Sequence, residues 1–142
     1  MKKTGSKFEY EQERNKNLLQ VYHKLISQTK FIKTSELYHN MSIHPSERFW
    51  VSEERTAIVI AKIAKGDNLT YMKKNKREMF FELYKRVNLM RKEHPQMPFN
   101  KIVFRVIRQP APRFYLTEES IKVIMSKIKT KWYKKKLLVY QN

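Results

Sequence analysis

Residues 48–65 have the sequence RFWVSEERTAIVIAKIAK, and residues 113–130 have the sequence RFYLTEESIKVIMSKIKT. The two stretches align without a gap at an offset of 65 residues, and six of the eighteen aligned positions are identical. Closer to the N-terminus the offset is three residues shorter, and LLQVY at 18–22 corresponds to FFELY at 80–84. The chain therefore contains two copies of one unit. We call them repeat 1 and repeat 2.

Each repeat is predicted to form three helices. In repeat 2, apolar residues recur at three- and four-residue steps along residues 76–94 and again along residues 99–109, as they do on one face of a helix. The corresponding segments of repeat 1 surround Leu18–Ile26 and residues 35–43. Proline at 45 in repeat 1, and at 110 and 112 in repeat 2, ends the second helix because proline cannot continue one.

The third helix begins with the same device in both repeats. Ser52 and Thr117 are suitable N-cap residues, and two glutamates follow each of them. Adjacent residues on a helix point in different directions, so capping explains these glutamate pairs better than acid–base catalysis does. Gly66 is a suitable C-terminal breaker in repeat 1. Repeat 2 has Lys131 at that place, which predicts a last helix continuing through residues 129–140.

These elements predict an all-α fold, with two tandem copies of a three-helix, helix-turn-helix-like unit packed as one compact domain. The helix-turn-helix likeness is a hypothesis, because the connection Gln109–Thr117 is longer than the strict motif allows and contains no glycine. The predicted divisions are a basic and polar N-terminal arm at 1–13, repeat unit 1 at 14–66, a basic linker at 67–75, repeat unit 2 with its long basic helix at 76–136, and a tail at 137–142.

The charge of the chain indicates a polyanionic partner. Its 142 residues include 31 Lys and Arg against 13 Asp and Glu, a net charge of +18. Such self-repulsion destabilises a compact state unless a polyanion offsets it. With 41% hydrophobic and 13% aromatic residues, the chain still has enough apolar surface to form a packed interior.

Several residue types are too scarce for common catalytic sites. The chain has no Cys and only two Gly, which excludes thiolate metal sites and glycine-rich phosphate loops. Asp67 is the single aspartate, and the four histidines fall in no metal-binding spacing. We expect no catalytic residue, metal, cofactor or small-molecule substrate. No apolar run approaches the roughly 20 residues that span a bilayer, so we expect a soluble, intracellular protein without a membrane partner.

The positive residues predicted to contact nucleic acid lie in three groups. No acid follows Glu119, and the last helix and its tail hold seven lysines. A second group precedes the long helix of repeat 2, and the remainder lie on the other helices and connections. The full predicted set is Arg48, Lys62, Lys73, Lys74, Lys76, Arg77, Arg105, Arg108, Arg113, Lys122, Lys127, Lys129, Lys131, Lys134, Lys135 and Lys136.

The segments SERFWVSEERTAIVIAKI (46–63), KREMFFELYKRV (76–87) and PAPRFYLTEESIKVIMSKI (110–128) resemble small basic proteins of phages and mobile elements of Bacteroides-like gut bacteria. The resemblance covers roughly residues 17–133. It implies a phage or mobile-element role, and it contributes no activity and no site residues.

Together these observations predict a non-enzymatic nucleic-acid-binding protein that contacts double-stranded DNA through its phosphates. Lysines outnumber arginines, which suits backbone contact better than base recognition. Any sequence preference is expected from Arg105, Arg108 or Arg113. The alternative is a structural or assembly component of a phage particle or ribonucleoprotein, with RNA or an acidic protein as partner and an apolar anchor around Trp132. The choice between DNA and RNA stays open at this point.

Overall fold

The computed structural model describes the backbone of residues 5–141 and the side chains of residues 10–131. Within this part of the chain the secondary structure consists of helices and one isolated β-bridge, with no β-strand, which confirms the predicted all-α class. The six helices are α1 (Gly5–Ser27), α2 (Thr34–Ile43), α3 (Glu53–Ala64), α4 (Lys74–Glu93), α5 (Phe99–Ile107) and α6 (Glu118–Gln141).

The helix ends follow the predicted capping residues. The Ser52 side chain accepts a hydrogen bond from the Arg55 amide at 3.1 Å, and the Thr117 hydroxyl oxygen accepts one from the Ser120 amide at 3.0 Å. Gly66 has a φ of 101°, and its amide donates to the Ile63 carbonyl oxygen, which satisfies an orphan carbonyl at the end of α3. Both third helices therefore begin where the sequence predicts, at the glutamate pair that follows the cap residue.

Two helices extend into segments that were predicted to flank the repeats. Helix α1 begins at Gly5, within the predicted arm at 1–13, and α6 runs to Gln141, through most of the predicted tail at 137–142. The continuation of the last helix past Lys131 is confirmed. Residues 1–4 and 142 lie outside the described part of the chain.

The third helices are exchanged between the repeats. Helix α3 of repeat 1 packs on α4 and α5 of repeat 2, and α6 of repeat 2 packs on α1 and α2 of repeat 1. Within the described residues, α2 does not contact α3, and α5 does not contact α6. This corrects the helix-turn-helix hypothesis in its connectivity, because the second and third helices that are neighbours in sequence do not pack on each other. The arrangement is still compatible with two copies of a three-helix unit.

The exchange produces two hydrophobic cores, each built from both repeats. Core A lies between α1, α2 and α6, and core B lies between α3, α4 and α5. The fully buried side chains that fill core A include Leu18, Met41, Ile121 and Met125. Those that fill core B include Val59, Phe80, Leu83, Val87, Ile102, Val106 and Ile107.

Two extended connections, residues 44–52 and 108–117, carry the chain between the cores, and they cross each other. We call them the crossing segments. The Ser46 amide donates to the Ala111 carbonyl oxygen and the Ala111 amide donates to the Ser46 carbonyl oxygen, both at 3.0 Å. Ser46 and Ala111 are also equivalent in the repeat, at the offset of 65. Reciprocal bonds between equivalent residues are what a twofold axis between them produces, so a pseudo-twofold axis passes through this bridge.

Aromatic rings fix each crossing segment to both cores. Phe49 is buried in core B and the next residue, Trp50, is buried in core A. In the other segment Phe114 is buried in core A, and Tyr115 packs against core B. In the second segment Tyr115 has a left-handed backbone conformation, with a φ of 59°, so the alternation there is not that of an extended strand. These rings therefore pin both connections into the two cores.

A buried polar group supports the crossing on the side of core A. Trp50 Nε1 donates to Ser46 Oγ at 2.7 Å, and the Ser46 hydroxyl lies within hydrogen-bond distance of Asn17 Oδ1 (3.2 Å) and the Arg48 carbonyl oxygen (2.9 Å). Asn17 Oδ1 also accepts from the Glu47 amide at 3.0 Å. Because Asn17 and Ser46 are both buried, these polar atoms depend on one another for hydrogen bonds.

We therefore expect Ser46→Ala to lower the free energy of unfolding by about 1–3 kcal/mol, because it leaves the buried Trp50 indole N–H without an acceptor. Ser42→Ala is the matched control. The Ser42 hydroxyl donates only to the His39 carbonyl oxygen one turn back in its own helix, so we expect less than about 0.5 kcal/mol there. Urea unfolding of both variants measures the difference. Equal losses would show that the Ser46 hydroxyl does not support the crossing.

Candidate nucleic-acid interface

Helix α6 presents the largest group of predicted contacts. Its apolar side packs into core A through Ile121 and Met125, which are fully buried. The lysines flank this stripe and leave their side chains in solvent, since Lys122, Lys127, Lys129 and Lys131 are all exposed. Lys134, Lys135 and Lys136 continue the helix, and their side chains lie outside the described residues. The helix therefore uses one face for packing and its flanks for positive charge.

The second predicted group lies where the chain enters α4. Lys73 is the N-cap residue of α4, and Lys74, Lys76 and Arg77 occupy its first turn. All four side chains are exposed. Arg77 is partly committed to the fold, because its Nε donates to the Asn68 carbonyl oxygen at 3.0 Å. The three lysines are the available charges of this group.

Two predicted arginines point into the protein. Arg48 donates from Nε to the Phe49 carbonyl oxygen at 3.0 Å and from Nη2 to the Val51 carbonyl oxygen at 3.3 Å. Burial, with the nearby positive charge of Arg108 as a second cause, lowers the pKa of Arg48 from its ordinary value. Arg113 forms an ion pair with Glu78 and donates to Asn75 Oδ1 at 2.8 Å. Both guanidinium groups thus brace the crossing segments.

The remaining predicted residues are dispersed over the surface. Arg108 pairs with Glu53 at 3.1 Å and lies 3.6 Å from the centre of the Phe104 ring. Lys62 lies over the Tyr71 ring, with Nζ 5.9 Å from its centre. Arg105 is exposed on α5. Arg105 is therefore the predicted specificity residue that keeps its charge in solvent.

The exchange of helices also assembles a cationic cleft that the sequence does not indicate. Arg55, Lys73, Lys74 and Lys76 line a cavity of about 620 Å³ between the start of α4 and the start of α6. Arg55 lies on α3 in repeat 1, so no spacing within the sequence places it beside the lysines of repeat 2. We call this cavity the basic cleft.

Other functional groups are scarce in the described part of the chain. No cluster of three or more His, Asp or Glu there is arranged to hold a metal ion. None of the described helices combines the length and the apolar character that crossing a membrane requires. No protein-family model matches the chain, and searches of curated proteins and of solved structures found no similar protein. Surface charge and its placement are therefore the features that indicate a function.

The inward position of Arg48 leads to a prediction about stability. We expect Arg48→Gln to lower the free energy of unfolding by about 1–3 kcal/mol, because it removes charge-assisted hydrogen bonds to two carbonyl oxygens of a crossing segment. Lys122→Gln removes the same charge from an exposed site on α6 and should change the free energy of unfolding by less than about 0.5 kcal/mol. Guanidinium unfolding of both variants tests this. A smaller loss for Arg48→Gln than for Lys122→Gln would contradict it.

Proposed function

We propose that the protein is a non-enzymatic nucleic-acid-binding protein that binds double-stranded DNA through phosphate contacts. The lysines of α6 make the main contacts, and the positive residues of neighbouring segments add to them. The observation that carries this proposal is α6 itself, which has no acidic residue after Glu119 and exposes its described lysines on both flanks of a buried apolar stripe. The phage or mobile-element setting, in a bacterial cytoplasm or nucleoid or inside a virion, rests on the sequence resemblance.

The length of α6 suits a duplex. At 1.5 Å per residue, its 24 residues extend over about 36 Å, which is close to one turn of B-DNA. A lysine ammonium is a point charge on a flexible stem, so it reaches phosphates without requiring a fixed geometry. Each phosphate that is neutralised releases condensed counterions, and this release drives binding at low salt.

The position of α6 in the fold explains how it can be so basic. One face contributes Ile121 and Met125 to core A, and that burial keeps the helix on α1 and α2. The repulsion between its lysines then acts between exposed groups, where water and salt screen it. A bound polyanion would remove this repulsion, so the same charges that strain the free protein favour the complex.

The decisive experiment is duplex binding across a salt series. For the purified protein, freed of co-purified nucleic acid, we expect the logarithm of the association constant to fall linearly with the logarithm of salt concentration. A variant with Lys122→Gln, Lys127→Gln and Lys131→Gln should lose about one unit of slope for each lysine that contacts a phosphate. Fluorescence anisotropy with a labelled duplex measures both slopes.

A matched control separates local contact from net charge. Lys85, Lys92 and Lys101 are exposed on α4 and α5, which do not pack against α6 within the described residues. Changing these three to Gln removes the same total charge and should leave the slope nearly unchanged. Equal salt slopes for the two triple variants would show that the lysines of α6 do not make the main phosphate contacts. Absence of salt-dependent binding in the unmodified protein would refute the proposed function. Tighter binding to structured RNA than to duplex DNA would identify RNA as the ligand in place of DNA.

A further inference from the structure

The basic cleft combines three kinds of surface. Its charged wall consists of Arg55, Lys73, Lys74 and Lys76. Its aromatic and apolar lining residues are Tyr71, Met72, Tyr115 and Leu116, and the hydroxyl-bearing residues Thr117 and Ser120 also line it. Tyr71 is 62% exposed, and although Lys62 Nζ lies 5.9 Å from its ring centre, a large part of the residue faces solvent. No acidic residue lines this cavity among the described residues.

One carboxylate lies beside the cleft, because Asp67 Oδ2 accepts a hydrogen bond from the Tyr71 hydroxyl at 3.2 Å, but it forms no ion pair with the cations of the cleft. None of Arg55, Lys73, Lys74 and Lys76 forms an ion pair with another residue in the described part of the chain. Glu78, which is close in sequence, is already paired with Arg113. Four positive charges around one cavity repel one another, and an anion inside it would relieve that repulsion.

A second cleft at the repeat-equivalent position provides a comparison within the same chain. The correspondence is supported by matching contacts at the first helices, where Lys24 Nζ lies 3.3 Å from His44 Nε2 and Arg86 Nη1 donates to Gln109 Oε1, also at 3.3 Å. The lining residues that correspond in the two clefts are Tyr10 and Met72, Glu13 and Asn75, Val51 and Leu116, and Ser52 and Thr117.

The two clefts differ in charge. The second cleft holds Arg48 and Arg108 together with the carboxylates of Glu13, Glu53 and Glu54. Its positive charges are thus balanced inside the protein, and one of them, Arg108, is in an ion pair with Glu53. Equivalent positions on the two sides of the pseudo-twofold axis therefore carry two different clefts. Carboxylates line the second cleft beside its arginines, whereas no carboxylate among the described residues lines the basic cleft. The fold does not require the positive charge of the basic cleft.

We propose that the basic cleft binds one unpaired nucleotide of a nucleic-acid strand. The lysines and Arg55 hold its phosphate, and the exposed ring of Tyr71 contacts its base. This inference rests on the proposed function, and it adds a site that recognises a strand end or an unpaired stretch beside a duplex held by α6. Cationic grooves with exposed aromatic rings are the usual means of binding single strands, since every base has a face that can stack.

The test compares three DNA hairpins with the same duplex. The first has a blunt end, the second has a short single-stranded thymidine overhang, and the third has an overhang of the same length without bases. We expect the thymidine overhang to raise affinity about tenfold over the blunt hairpin, because stacking of a base on an aromatic ring adds to the phosphate contacts. The abasic overhang keeps the phosphates and should give a smaller gain.

Two variants test whether the Tyr71 ring accounts for the affinity that the bases of the overhang add. Tyr71→Ala should remove the difference between the thymidine and abasic overhangs and leave affinity for the blunt hairpin unchanged. Phe31→Ala is the matched control, because Phe31 is 93% exposed in the loop between α1 and α2, outside the cleft. An equal overhang gain in these two variants would overturn the assignment of the base to Tyr71.

The lysines are tested in the same way. Changing Lys73, Lys74 and Lys76 to Gln should abolish the gain from both overhangs, and the control with Lys85, Lys92 and Lys101 changed to Gln should keep it. If the blunt hairpin binds with a salt slope and no overhang adds affinity, the cleft proposal fails and the proposed function stands. If no duplex binds, the proposed function fails. The cleft then stands only if a thymidine oligonucleotide alone binds and Tyr71→Ala weakens that binding.

Discussion

The reciprocal pair of hydrogen bonds between Ser46 and Ala111 is the constraint on which the rest of the fold depends. It fixes where the two crossing segments meet, and each segment then delivers its third helix to the core of the other repeat. Phe49 and Phe114 follow the bridge by three residues in each segment and are buried in opposite cores. Because each crossing segment contributes an aromatic ring to both cores, each core is complete only when both segments are in place.

A nearly symmetric scaffold carries an asymmetric charge. Between the best-matched stretches the repeats share basic residues only at Arg48 with Arg113 and at Lys62 with Lys127. The arginine pair braces the crossing segments in both repeats, so it belongs to the scaffold. The excess positive charge was placed mainly on α6 and at the start of α4. The pseudo-twofold axis therefore relates two similar backbones that differ in their surface charge.

Helix positions and caps were predictable from the sequence because they depend on local rules. The spacing of apolar residues, the prolines and the capping residues determine where α3 and α5 begin or end. The exchange of helices was not predictable, because periodicity shows which face of a helix is buried and not which helix covers it. Ile60 and Met125 are equivalent in the repeat and both are buried, so the pattern of α3 and α6 fits either core. The basic cleft escaped prediction for the same reason, since Arg55 reaches it only through the exchange.

The exchange also connects the basic helix α6 to the stability of the whole chain. Helix α6 closes core A, and its N-terminal residue Glu118 lies 2.8 Å from His39 Nδ1 on α2, in the other repeat. A ligand that binds α6 only when α6 is folded stabilises the native state by linkage. Because the crossing segments join core A to core B, that stabilisation extends to helices that the ligand does not touch. The repulsion between the lysines of α6 therefore bears on the stability of both repeats.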